Sequence, residues 1–200
     1  MNMESISEQL LATGFFSSIE LVPRVPPGHD LAATARLTGA GHCLIAREGL
    51  QAFRSQVGSA AREVSIKWHF ITASNPWPVA TLERSERLPA VLSHLEVEGN
   101  HRLLIEIDPG LCWFEGHFPG QPILAGVVQL HWAGLLTQKL FGYDKYPERI
   151  ARLKFQHLVV PPTVLELMLT SVARHVVHFR FDSCGQCHSQ GRLNYNEPDS

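Results

Sequence analysis

The spacing of hydrophobic and polar residues changes period several times along the chain, and each change marks an element. Alternation with period two, expected of a half-buried strand, runs through residues 17–22, 31–37, 66–71 and 92–97. It is clearest in Arg102-Leu103-Leu104-Ile105-Glu106-Ile107. Leu50, Phe53 and Val57 recur at steps of three and four, which predicts an amphipathic helix over residues 46–57. Residues 7–12 can start a shorter helix. Pro23, Pro26, Pro27 and Gly28 interrupt the chain after the first strand, and Thr38-Gly39-Ala40-Gly41 reads as a turn after the second. Residues 126–140 are mostly apolar and long enough for about four helical turns. Strands follow at residues 150–155, 164–170, 176–181 and 191–195, with Pro161-Pro162 and the polar stretch 182–190 read as loops. One apolar helix followed by antiparallel strands is an α+β plan in which the sheet wraps the helix.

Ser74-Asn75-Pro76-Trp77-Pro78 fixes an extended path and removes amide donors, so the chain is expected to divide there. A small α+β unit would occupy residues 1–87 and the sheet-and-helix unit residues 88–200. With 200 residues, 44% of them hydrophobic, there is material for two such cores. A net charge of −2 and a pI near 6.6 provide no basic field, so nucleic acid is not an expected partner. The first residues lack the basic start and apolar run of an export signal, and a cytoplasmic protein is expected. The least charged stretch, residues 118–138, is broken by Pro119, Gly120, Pro122, Gly126, His131 and Gly134, which makes no membrane span. Four cysteines are too few and too scattered for a disulfide scaffold. Cys184-Gly185-Gln186-Cys187-His188 has the spacing of covalent haem attachment and of half a zinc site. Without export or a second pair it reads as a hairpin loop, and no metal is expected.

Chemistry concentrates in Gly116-His117-Phe118-Pro119-Gly120-Gln121-Pro122-Ile123-Leu124-Ala125-Gly126-Val127-Val128. Glycines and prolines hold a histidine in a fixed loop, and an apolar helix follows at once. The start of such a helix presents unpaired amides, and Gly126 lets a ligand come close to them. A thioester carbonyl there would meet donors aimed at its developing charge. His117 could remove a proton from the adjacent carbon. The same residues, taken alone, are also compatible with a structural histidine before a core helix.

This segment closely resembles the signature of the 3-hydroxyacyl-(acyl carrier protein) dehydratases of fatty acid synthesis. The likeness extends through Arg149-Ile150-Ala151-Arg152-Leu153-Lys154-Phe155 to Pro161-Pro162, about half the chain. The resemblance implies a hot-dog fold, an antiparallel sheet wrapped around a central helix, with active sites at the interface of a homodimer or a heterodimer with another hot-dog subunit. It implies no metal or redox cofactor and a substrate carried on the phosphopantetheine of acyl carrier protein. His117 matches the catalytic histidine and Gly126 the glycine whose amide polarises the thioester. Phe118, Pro119, Gly120 and Val127 would bind substrate. Two positions depart from the pattern: Ala125 replaces a proline, and His131 replaces the Glu or Asp that works with the histidine. His131 could act as an acid only when protonated, or could hold a water, and Glu115 is the nearest substitute carboxyl. The run Val127-Val128-Gln129 resembles more narrowly the dehydratases of aryl polyene pathways, which implies an aryl or polyenyl substrate.

Residues 8–88 loosely resemble the small carboxy-terminal subdomain of acyl-adenylating enzymes. That subdomain uses a lysine soon after its last strand, and none occurs here between Lys67 and Lys139. No adenylation is therefore expected, which leaves scaffolding or carrier-protein docking. The expected function is dehydration of a 3-hydroxyacyl thioester to the trans-2-enoyl thioester, with His117 and His131 as the catalytic candidates. The alternatives are an acyl thioesterase, or a non-catalytic subunit that binds acyl carrier protein or a catalytic partner.

Overall fold

The first strands pair as their alternation predicts. β1 (Phe16–Pro23) runs antiparallel to β2 (Leu31–Leu37), and β3 (Ile66–Phe70) joins β2 in parallel. A parallel pair needs a crossover, and α2 (Gly39–Ala60) supplies it, with α1 (Met3–Ala12) preceding β1. These elements belong to a computed structural model that describes residues 3–23, 31–61, 64, 66–72, 76–77, 87–115 and 120–196. The helix begins where a turn was expected. Thr38 is extended and its hydroxyl accepts the Gly41 amide at 3.2 Å, so Thr38-Gly39-Ala40-Gly41 is a helix cap and first turn. A Cβ at Gly41 would collide with the carbonyl oxygen of Phe15, which explains the glycine.

The second unit is a six-stranded antiparallel sheet with the order β4-β5-β7-β8-β9-β6. Its strands are β4 (Ala90–Val97), β5 (Asn100–Ile107), β6 (Arg149–Phe155), β7 (Thr163–Ala173), β8 (Val176–Ser183) and β9 (Gln186–Asn194). One face wraps α3 (Gly126–Phe141). Leu103, Ile105 and Ile107 of β5, Leu165, Leu167 and Leu169 of β7, and Phe179 and Phe181 of β8 close over Trp132 and Leu136. The opposite face is covered as well. Leu92, Leu104 and Val164 pack with Ile45, Phe53 and Val57 of α2 and with Leu10 of α1. A strand covered on both faces has no polar side, which is why Leu103-Leu104-Ile105 is continuously apolar.

Polar groups also join the two units. Glu166 on β7 meets His42 Nε2 at 3.0 Å and Arg102 at 2.6 Å, and His42 Nδ1 shares a hydrogen bond with Ser93 Oγ at 2.9 Å. Glu166 can only accept, so the His42 Nε2 carries a proton toward it. Trp77 is buried edge-on against Trp132, with its indole donating to the Pro89 carbonyl at 3.1 Å. Only Pro76 and Trp77 of the proline-rich segment fall among the described residues.

The stretch 182–190 is mostly strand rather than loop. Cys184 (φ 46°) and Gly185 (φ 78°) form a two-residue turn in the left-handed region, whose twist suits a tight hairpin, so β8 and β9 run almost to it. His188 takes part in the structure. Its Nε2 lies 2.6 Å from Ser183 Oγ and its Nδ1 3.1 Å from the Leu158 carbonyl, so both ring nitrogens are engaged. Among the described residues no group of three or more His, Cys, Asp or Glu side chains could hold a metal ion, and no helix is long and apolar enough to cross a membrane.

Candidate active site

The loop that enters α3 is held from two sides. The Leu124 amide donates to the Val159 carbonyl at 2.9 Å. Gln129, buried in the first turns of α3, donates to the Leu124 carbonyl at 3.3 Å and accepts from Ser189 Oγ at 2.6 Å. Gln129 therefore ties loop, helix and β9 together. Gly120 adopts φ 87°, a left-handed conformation that glycine takes without strain. Gly116, His117, Phe118 and Pro119, among them the expected base, lie outside the described residues.

At the helix start, Ala125 is extended and offers no capping side chain, while its carbonyl accepts the Val128 and Gln129 amides at 3.0 and 3.3 Å, so the Gly126 and Val127 amides are the ones that precede the intrahelical ladder without a side-chain cap. A Cβ at Gly126 would run into the Phe155 ring, so only glycine lets that edge-strand aromatic lie on the first turn. Val127 beside it is 71% exposed. The site thus has uncapped donors, one flexible aromatic over them and an open apolar flank. A carboxylate or a polarised carbonyl oxygen suits such a position.

His131 sits a turn and a half further on, between two aromatic side chains. Its Nδ1 is 3.5 Å from the Tyr146 hydroxyl, the two rings are nearly parallel at 6.2 Å, and Trp113 tilts toward it at 6.2 Å. Trp113 is itself fixed by donation to the Arg87 carbonyl at 2.6 Å. Burial lowers the His131 pKa below its ordinary value, so the ring is neutral at pH 7 and carries no extra proton to give. Glu115 is exposed at the end of the short 3-10 turn Cys112–Phe114. The structure brings Gly126, Val127 and His131 onto the first turns of one helix. It adds Trp113, Tyr146, Phe155 and Gln129, which sequence reasoning did not assign. Trp113 lies three residues ahead of Gly116, whereas Tyr146 and Phe155 reach the helix from later segments and left no local signal.

A six-stranded antiparallel sheet wrapped around an apolar helix is a hot-dog fold, as the sequence resemblance implied. More particularly, the chain belongs to the ApeI-like dehydratase family, whose model, described as ApeI dehydratase, matches residues 93–192. Among solved structures it is similar to the dehydratase heterocomplex ApeI:P from Xenorhabdus doucetiae, with 31% identity and a TM-score of 0.50 over 53% of this chain and 96% of that one. It is also similar to an uncharacterized protein from Erwinia carotovora subsp. atroseptica, with 27% identity and a TM-score of 0.46 over 54% and 94% of the two chains. The dehydratase domain of RzxB from Pseudomonas fluorescens is 18% identical with a TM-score of 0.45, over 55% of this chain and 45% of that one. No curated protein matches the chain.

Proposed function

We propose that the chain dehydrates a 3-hydroxyacyl thioester carried on acyl carrier protein to the trans-2-enoyl thioester, in fatty acid or polyene synthesis. The observation that carries this reading is the uncapped, glycine-led start of α3 within the family match. The thioester carbonyl accepts from the Gly126 amide, which stabilises the enolate-like charge that forms when His117 removes the proton from C2. The double bond forms between C2 and C3 as the C3–O bond breaks, and the departing hydroxide takes up one proton to become water. A neutral His131 has no spare proton, so the proton removed by His117 is the one available to the leaving group. His131 and Tyr146 then hold the hydroxyl or its product water. The reaction needs no cofactor beyond the phosphopantetheine arm and suits a cytoplasmic setting. The experiment is enoyl formation from 3-hydroxyacyl carrier protein by the purified chain and by His117→Ala. Turnover that the substitution lowers at least about a hundredfold is expected; undiminished turnover would refute the assignment of the base.

A second reading is a subunit that acts only with a catalytic partner. It is favoured by His131 at the acidic position and by the edge of the sheet. β6 is an edge strand and exposes Ile150, Leu153 and Phe155, and Leu158, Val160 and Val127 are exposed as well. Such an apolar edge invites another strand, and the ApeI:P structure is a heterocomplex. Inactivity of the chain alone, with turnover restored by a second hot-dog subunit, is the outcome that selects this reading.

A further inference from the structure

The Gly126 amide is aimed by the backbone that precedes it, and that backbone is held at several points. The Ala125 carbonyl accepts the Val128 and Gln129 amides at 3.0 and 3.3 Å. In a trans peptide the N–H lies opposite the carbonyl, so these bonds turn the Gly126 N–H away from the helix. One residue earlier, Leu124 is gripped at both ends. Its amide donates to the Val159 carbonyl at 2.9 Å, and its carbonyl accepts from Gln129 Nε2 at 3.3 Å.

Gln129 is itself fixed. A carbonyl can only accept, so the side-chain NH2 faces Leu124 and Oε1 is left for the Ser189 hydroxyl, 2.6 Å away. Leu124, Gln129 and Ser189 are all buried, where such bonds are strong and an unmet one is costly. Ser189 stands opposite Phe155 in the sheet register, and the carbonyl of the neighbouring His188 accepts the Gln156 and His157 amides at 2.8 and 3.3 Å. β9 therefore anchors both Gln129 and the strand end whose Phe155 ring lies over Gly126.

Between Leu124 and the helix stands Ala125, at φ −59° and ψ 141°. That is polyproline geometry, which a proline ring would hold by itself. Alanine is free to leave it, and the glycine that follows is freer still. A helix end built this way frays unless something outside the backbone holds it.

We propose that Gln129 and Ser189 are positioning residues, a clamp on Leu124 that keeps the Gly126 amide aimed at the thioester carbonyl in place of a proline at position 125. The proposal rests on the thioester dehydratase reading. A misdirected donor loses more in the transition state, where charge develops on the oxygen, than in the ground state, so the clamp acts on kcat rather than on KM.

The test compares the full chain with Gln129→Met/Ser189→Ala, which removes both side-chain partners together, and with the same variant carrying Ala125→Pro. One readout is enoyl formation from 3-hydroxyacyl carrier protein. The other is the infrared carbonyl band of bound crotonyl-pantetheine, which moves to lower frequency when its oxygen accepts a hydrogen bond. The band is expected to be shifted in the unaltered chain. The double variant should lose most of that shift and lower kcat about tenfold or more with KM unchanged. Ala125→Pro should restore both. A band and kcat indifferent to the double variant, or a loss that Ala125→Pro does not restore, would overturn the clamp, and an unshifted band in the unaltered chain would overturn it along with the polarised carbonyl. A shifted band that follows the variants without any enoyl formation keeps the clamp and sinks only the dehydratase reading.

Discussion

At the scale of single residues, Gly126 and His42 show how differently a position can be constrained. A methyl group at Gly126 displaces Phe155, whose side chain is half-exposed and can swing away. Gly126→Ala should therefore change stability by less than about 1 kcal/mol in a thermal melt. Turnover should fall about tenfold or more, because the new Cβ and the moved ring crowd the approach to the helix amides. His42 is fully buried between Ser93 and Glu166, and its removal leaves both without their partner while Glu166 keeps Arg102. His42→Ala should cost about 2 kcal/mol or more, read as a lower urea midpoint with an unchanged slope. Gly126 and His131 were legible in the sequence because a helix start and its first turns are local. The His42 network was not: its bonds span 51 and 124 residues, and a histidine in a helix carries no mark of a glutamate on a distant strand.

At the scale of elements, apolar runs located the strands and helices well, and errors fell where side chains decide the ends. The helix expected over residues 46–57 is kinked at Gly49 (φ 84°, ψ 164°), and the part before the kink reaches back to Gly39, where Thr38 caps it, so the residues that read as a turn are a cap and a first turn. The expected loop 182–190 shrinks to Cys184 and Gly185 because polar side chains on β9, among them Ser189 and His188, find partners on neighbouring segments. β6 is the converse case. Its apolar residues were read as an ordinary strand, yet Phe155 is 52% and Ile150 41% exposed at the edge of the sheet. An edge of this kind gains most by pairing. Phe155→Asp places a charge in that contact and should lower the self-association constant, or the affinity for a second hot-dog subunit, at least about tenfold in light-scattering or sedimentation measurements. Unchanged association would show that subunits meet elsewhere.

At the scale of the whole molecule, the two cores share one sheet, and the partly and fully buried histidines around it set how stability responds to acid. His94, His101, His131 and His178 all have pKa values below the ordinary 6.5, first because burial disfavours the charged ring. His94 is pushed further by His101, whose Nδ1 is 3.1 Å from its Nε2, and by His42, while Glu96 pulls the other way. His178 is pushed further by Arg192 and Arg180. The unfolded chain takes up these protons near pH 6.5 and the folded chain only at lower pH, so in between the unfolded state binds more protons and stability rises with pH. This contribution is complete above about pH 6.5 and is lost as the pH falls through the lowered values. Glu166 adds a lower window. Burial opposes its charge, but His42 and Arg102 outweigh burial and hold its pKa below 4.5, so its stabilisation is present above that value and is lost as the pH falls further. Thermal melts should therefore show the midpoint falling steadily from about pH 7 to pH 5. His94→Gln removes one member of the imidazole pair and should flatten that slope while leaving the acid limb due to Glu166 in place. A midpoint that does not move between pH 7 and 5 would mean that these rings titrate alike in the folded and unfolded chain, and the burial that links the two cores would then have no electrostatic cost.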